Sequence, residues 1–355
     1  MGTIGLAVIG AGYWGPNLVR NAQATPGFRL EYLCDLDADR ARRVLGGYST
    51  VRVSDSLEEV LADPAVQAVA IATPAKTHLP VAMAALEAGK HVLVEKPLAA
   101  TYAEGRELVE AAESRGLTLM LDHTYCYTPA VAHLREVIRG GQLGDIQYLD
   151  SVRINLGLVQ PDVDVLWDLA PHDLSIFLSV LPEGITPLAV AAHGSDPIGA
   201  GRACVAHLTL QLTGGVMAHV HVNWLSPTKI RTMVIGGSAR TVVWDDLNPA
   251  QRLAFYDRGV DKVAADIGPE AKAATLVSYR TGDMVAPALP EKEALRAVMA
   301  EFHGAIAEGR APLTDGRSGL AVLSILEAAS ASLAQGGVFM PVLGADVTDP
   351  AEVSA

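Results

Sequence analysis

Cysteine is scarce in this sequence: Cys34, Cys126 and Cys204 are the only three in 355 residues. They are odd in number, far apart and without metal-ligand spacing. That excludes a disulfide framework, gives no reason to expect a metal, and suits a reducing compartment. Positive charge is also short, with 27 Lys and Arg against 40 Asp and Glu and a formal net charge of −13. No basic run interrupts the acids, so neither nucleic acid nor an anionic membrane is an expected partner. Apolar runs stay below membrane-spanning length, and the amino terminus enters a strand with no basic n-region or cleavage site. A cytoplasmic protein is the expectation. What remains is globular composition, 50% hydrophobic and 19% charged, on a chain long enough for two domains.

Thr3 to Ile9 becomes continuously apolar, as a central parallel strand should. It runs into Gly10-Ala11-Gly12-Tyr13-Trp14-Gly15, a G-x-G-x-x-G turn, and Pro16 to Ala22 then reads as helix. Gly10 permits the tight turn, Gly12 lets a pyrophosphate approach the backbone, and Gly15 lets helix and strand pack closely. The helix start offers N–H groups and a positive dipole end to that anion. A second strand, Leu30 to Cys34, ends in Asp35, twenty residues beyond Gly15, where a ribose-binding acid belongs. Asp37 and Asp39 follow and no arginine comes directly after Asp35, so a 2′-phosphate meets repulsion and NAD is expected over NADP.

The βα rhythm continues. Val66 to Ala72 is a strand ending at Thr73-Pro74, with a helix capped by Thr77 behind it and stopped at Gly89. Thr73, Pro74 and His78, at a strand's carboxyl end, are placed to flank a cofactor. His91 to Val94 leads into Glu95-Lys96-Pro97, which sets a lysine where open α/β sheets bind ligands. Thr101 and Glu104 form a capping box, and Leu117 to Leu121 gives the last of six strands, ending at Asp122-His123. The fold class is an α/β Rossmann domain, residues 1–123, followed by an α+β domain with a large, mostly antiparallel open sheet, residues 124–343. Residues 344–355 read as a polar tail.

Hairpins carry the second domain. Ala203 to Leu212 and Val216 to Trp224 are joined by Thr213-Gly214-Gly215, and segments from Lys229, Ala239 and Arg252 extend the meander. On the second of these strands Val216, Ala218, Val220 and Val222 share one face, while Met217, His219, His221 and Asn223 share the other, which suits subunit packing. His219 and His221 lack a carboxylate or cysteine cluster, so no metal is expected there. Helices over Glu291–Glu308 and Arg317–Ala334 close the chain.

Asp168 and His172 stand at i, i+4 near the start of a helix expected over Asp168 to Leu181, which puts both side chains on one face. A carboxylate one turn from an imidazole can orient it and support its protonated form. Asp168 also reads as an N-cap. Oxidation of an alcohol by NAD breaks one C–H and one O–H bond, so the site needs a hydride acceptor and a proton acceptor. Lys96, Asp168 and His172 supply a base, its partner and a hydrogen-bonding group.

The glycine turn, Ala72-Thr73-Pro74-Ala75-Lys76-Thr77-His78, Glu95-Lys96-Pro97 and Trp167-Asp168-Leu169-Ala170-Pro171-His172-Asp173 stand in the order seen in the glucose–fructose oxidoreductase/inositol dehydrogenase (Gfo/Idh/MocA) family, which the chain resembles over nearly its whole length. The resemblance implies a Rossmann domain, an open carboxy-terminal sheet that builds homodimers or homotetramers, Lys96 as the catalytic lysine, and a cis Lys96–Pro97 bond. Asn155-Leu156-Gly157 and Asn223-Trp224-Leu225-Ser226-Pro227 are similar to the sugar 3-dehydrogenase branch. The implied activity is NAD-dependent oxidation of a ring C3 hydroxyl on a nucleotide-linked or aminoglycoside-type sugar. The alternatives are the reverse ketoreductase, a cyclitol dehydrogenase, and a silent dinucleotide-binding regulator. Expected catalytic residues are Lys96, His172 and Asp168. Cofactor contacts are expected from Gly10, Gly12, Tyr13, Trp14, Gly15, Asp35, Thr73, Pro74, His78, Glu95, Lys96, Pro97 and Trp167. Substrate contacts are expected from Lys96, His123, Arg153, Asn155, Asp168 and His172.

Overall fold

A computed structural model describes residues 2–47, 49–262 and 277–344; the expected tail therefore lies, from residue 345, outside the described residues. The chain divides into two compact units. The first holds Met1–Pro129, Leu174–Ser179 and Glu291–Glu327, and the second holds the stretches between and after these.

The first unit begins β1 (Ile4–Ile9), α1 (Gly15–Ala24), β2 (Phe28–Cys34), α2 (Ala38–Leu45), β3 (Arg52–Ser54) and α3 (Leu57–Ala62). It continues β4 (Ala68–Ile71), α4 (His78–Glu87), β5 (His91–Glu95), α5 (Tyr102–Arg115) and β6 (Leu119–Asp122). All pairings are parallel, in the order β3-β2-β1-β4-β5-β6. Strand order reverses between β1 and β4, and the crevice outside the carboxyl ends there is where such sheets take ligands. Every residue of β1 is buried, as a strand covered on both faces requires. Side chains start three helices: Asp37, Ser56 and Thr101 accept the N–H groups of Arg40, Glu59 and Glu104. Thr77 does not cap α4; its hydroxyl donates instead to the Thr73 hydroxyl, 2.8 Å away. Of the six strands expected, the one the sequence does not locate is β3, three residues with too little alternation to register.

The chain later returns to this unit as α8 (Ala294–Glu308), whose Val298, Met299 and Phe302 are fully buried in the core that also takes Leu18, Leu33 and Leu93. Arg20 holds Glu293, just ahead of that helix, through two nitrogens.

The second unit carries α6 (Pro129–Arg139), β7 (Ile146–Leu156) and the first half of α7 (Val165–Val180). Strands β8 (Pro187–Ser195), β9 (Val205–Leu212), β10 (Met217–Asn223), β11 (Leu225–Gly237), β12 (Thr241–Asp245), β13 (Leu253–Lys262) and β14 (Val277–Val285) follow. After α9 (Gly316–Ala334), β15 (Met340–Pro341) completes a nine-stranded sheet, β14-β13-β12-β11-β7-β10-β9-β8-β15. Only β7 and β10 run parallel; the other pairs are antiparallel. The alternation along β10 is as expected: Ala218, Val220 and Val222 are buried, Met217 and His219 exposed. His221 stacks on His207 of β9, ring centroids 4.1 Å apart. No described helix is long and apolar enough to cross a membrane.

Candidate active site

The turn after β1 is built so that only glycine fits. A Cβ on Gly15 would lie 2.2 Å from the carbonyl oxygen of Gly10, and one on Gly10 would lie 2.8 Å from the Ala72 carbonyl. Gly10 also has φ +101°, a left-handed conformation. Gly12 differs: nothing lies within 4 Å of an added Cβ, so its missing side chain leaves open space in front of α1. A cradle of this shape, before a helix start, fits a pyrophosphate. Asp35 closes it, accepting the Ala11 N–H on Oδ2 at 2.6 Å and the Asp37 N–H on Oδ1 at 2.8 Å. A carboxylate has about four lone-pair sites, so this one retains capacity for ribose hydroxyls. Tyr13 and Leu36 flank the turn almost fully exposed, 92% and 95%, apolar surface for a dinucleotide to cover. Arg40 also comes within 3.8 Å of Asp35, but its charge is shared with Asp37 at 3.5 Å.

Three strand ends form the floor. His78, expected to flank the cofactor, has both ring nitrogens engaged within the fold: it is buried with Nδ1 2.7 Å from the Pro97 carbonyl and Nε2 2.9 Å from that of Thr73. It ties the segment after β4 to the one after β5. Burial holds its imidazole below the ordinary pKa, against the pull of both carbonyls. Pro74 opens the short turn Ala75–Thr77. The Lys96–Pro97 bond is cis, as the resemblance implied. Lys96 is half-buried, and its main-chain N–H donates to Glu95 Oε2 at 3.2 Å. On β6, Asp122 accepts the Trp14 indole N–H at 3.1 Å and the Thr124 hydroxyl at 2.6 Å. The indole of the glycine turn is thus spent on Asp122. His123 is 1% exposed, and neither ring nitrogen has a partner among the described residues. Burial, then the Lys96 charge, lowers its pKa to about 4, so it is a neutral imidazole with an N–H to give and a lone pair to accept.

In the second unit α7 starts earlier than expected. Asp164, not Asp168, takes the capping role, accepting the Trp167 N–H at 3.0 Å. Asp168 therefore stands inside the first turns, and Pro171 inside the helix. Trp224, buried at the end of β10, donates its indole N–H to Asp168 Oδ2 at 3.0 Å. The same residue's carbonyl accepts the Gly157 N–H at 2.8 Å, so the end of β7, where half-buried Asn155 lies, is joined to it. Trp167 donates to Ser330 at 2.9 Å, a packing role within this unit.

Arg153, expected to contact substrate, is instead enclosed and paired. It is 2% exposed and grips Asp173 through Nε at 2.7 Å and an NH2 group at 3.0 Å, while Ser151 donates to the same carboxylate at 2.8 Å. Asp173 adjoins His172, so this buried pair pins the stretch of α7 that carries His172 to β7. Sequence reading missed Asp122, Asp164, Asp173 and Trp224 as contributors. The available signal was position for three of them: Asp122 and Trp224 sit at strand ends and Asp173 beside His172, while Asp164 had none.

Residues 4–123 match the oxidoreductase family GFO/IDH/MocA, NAD-binding Rossmann fold, and residues 131–243 match the GFO/IDH/MocA C-terminal domain. The chain is 31% identical to UDP-N-acetylglucosamine 3-dehydrogenase of Acidithiobacillus ferrooxidans over 320 residues, 89% of this chain and 93% of that protein. A solved structure of that enzyme, GnnA, superposes with a TM-score of 0.77 at 29% identity, covering 94% of this chain and 98% of that one. GenD2 from gentamicin A biosynthesis, solved with NAD, gives 0.78 at 25% identity over 96% and 97% of the two chains. With a dinucleotide cradle at the start of the chain and both domains matched in order, the protein is an NAD-binding oxidoreductase that belongs to the GFO/IDH/MocA family.

Proposed function

We propose that the protein oxidises the C3 hydroxyl of a sugar ring to a 3-keto sugar, the sugar being nucleotide-linked or of aminoglycoside type, ahead of transamination. The observation that carries the reading is the 31% identity to a UDP-sugar 3-dehydrogenase along nearly the whole chain. The fixed Asp168, one helical turn from His172 on α7, supports it.

When bound, NAD supplies the hydride acceptor. Gly10, Gly12 and Gly15 leave room for its pyrophosphate at the start of α1, and Asp35 accepts from its ribose. Lys96 or His172 takes the hydroxyl proton as the carbonyl forms. Asp168, fixed by Trp224, orients His172 and supports its charged form. His123, with an unengaged N–H, offers a hydrogen bond to a bound polar group beside Lys96.

Incubation with NAD and a panel of UDP-sugars, free sugars and aminoglycosides tests the reading through the absorbance of reduced cofactor. Reduction with one class, and deuterium at C3 after borodeuteride trapping, is the expected result. No reduction with any member would favour a silent regulator, and release of a nucleotide or aglycone would indicate glycoside cleavage.

The exposed face of the nine-stranded sheet is the proposed surface for a homodimer or homotetramer. Met217 and Tyr148 are neighbours there, 41% and 39% exposed, beside the His207–His221 stack. Met217→Glu should shift the assembly toward monomers in sedimentation equilibrium; a wild-type monomer at micromolar concentration would end that part of the proposal.

A further inference from the structure

Glu95 and Asp122 are partners in register at the carboxyl ends of β5 and β6, so their side chains share one face of the sheet. Ionised carboxylates only accept, so two carboxyl groups set side by side bond to each other only through a shared proton. The surrounding donors identify its holder. Asp122 accepts the Trp14 indole N–H on Oδ2 and the Thr124 hydroxyl on Oδ1. Each Asp122 oxygen thus already has a donor. Glu95 Oε2 accepts only the Lys96 main-chain N–H, at 3.2 Å, and Oε1 is shut off from solvent with no donor among the described residues. Protonation would give this oxygen an O–H to donate toward the neighbouring carboxylate. Burial, then the Asp122 charge, hold the Glu95 carboxyl well above the usual carboxylate range, opposed by Lys96. The charged groups that bear on Glu95 are Asp122 on β6 and Lys96 on its own strand; Trp14 is neutral, and so is His123 beyond Lys96.

We propose that Glu95 is the proton-holding residue of the reaction. It keeps the proton shared with Asp122 while no oxidised cofactor is present, gives it up when NAD⁺ brings a positive ring to the strands' carboxyl ends, and regains one when that charge is discharged. The atoms balance. Alcohol oxidation breaks a C–H and an O–H bond; the hydride leaves with the cofactor, and the base passes the O–H proton to Glu95. One proton per cycle then goes to solvent, at cofactor binding and not with the product. The inference rests on NAD binding and is indifferent to which sugar enters.

Calorimetric titration in two buffers of different ionisation enthalpy tests it on the full chain with NAD⁺ and NADH alone. Wild type should release about one proton per NAD⁺ bound and about none with NADH. Glu95→Gln, which keeps the shape and can still donate to Asp122, should bind NAD⁺ without release. The ligand-free wild type should also show the infrared C=O band of a neutral carboxylic acid, absent from Glu95→Gln. NAD⁺ binding without proton release in the wild type, equal release in the variant, or no neutral-acid band would each overturn the proposal. Absence of binding heat for either nucleotide would instead undo the cofactor assignment.

Discussion

Lys96→Ala is expected to lower turnover roughly a thousandfold, the range of a lost general acid–base group, while NAD binding stays within a few-fold of wild type. The separation follows from where the parts sit. The dinucleotide cradle is made by Gly10, Gly12, Gly15 and Asp35, on β1, α1 and β2, none of which the truncation touches. The turn that carries the lysine is held by backbone groups, through the Lys96 N–H on Glu95 and the Pro97 carbonyl on His78, and alanine keeps both. What disappears is an amine whose charge bears on the Glu95 carboxyl and on the neutral His123 imidazole. Lys96→Arg refines the result. Arginine keeps the charge but does not give up a proton, so turnover that stays low in Arg identifies proton transfer, and turnover that recovers identifies charge alone. Reduced-cofactor absorbance reads turnover, and fluorescence quenching reads binding. Wild-type turnover in Lys96→Ala would remove this lysine from the proposed chemistry.

The sequence displayed those parts of the fold whose cause is local. A glycine turn, a proline after a lysine, a threonine cap and an alternating strand each act within a few residues, so β1, α1, β5, β9 and β10 were readable. β3, at three residues, and β8, which begins on a proline and continues in small residues, lack a period to read. The network around the site was unreadable for a different reason: its partners meet only through sheet register. Trp14 and Asp122 are 108 residues apart, and Trp224 and Asp168 are 56 apart. Arg153 was expected to contact a substrate, against the plainer reading of a strand arginine as a solvated charge; a buried acid 20 residues away captures it instead. His78 was read as a cofactor neighbour from its place after β4, and the two carbonyls that occupy its ring belong to segments after different strands.

That captured arginine supports the second large effect. Arg153→Ala is expected to cost about 3–5 kcal/mol, the usual range when one partner of a buried ion pair is removed. Arg153 and Asp173 have side chains only 3% and 2% exposed, so the carboxylate left behind has little access to water. Ser151 alone then donates to it. Urea unfolding followed by tryptophan fluorescence is a suitable measure, because Trp167, Trp224 and Trp244 lie in the second unit and only Trp14 in the first. Replacing both partners with apolar residues of similar volume, Arg153→Met with Asp173→Leu, should restore most of the stability, since no charge then stays buried. Turnover should not return with it. Asp173 follows His172 directly, and an apolar contact lacks the two-pronged hydrogen bonding that sets how α7 turns Asp168 and His172. A stable double variant with low kcat and unchanged NAD affinity would make the pair a positioning element. If the double variant instead turned over like wild type, the pair would serve stability alone, and His172 would owe its orientation to Asp168 and the helix itself.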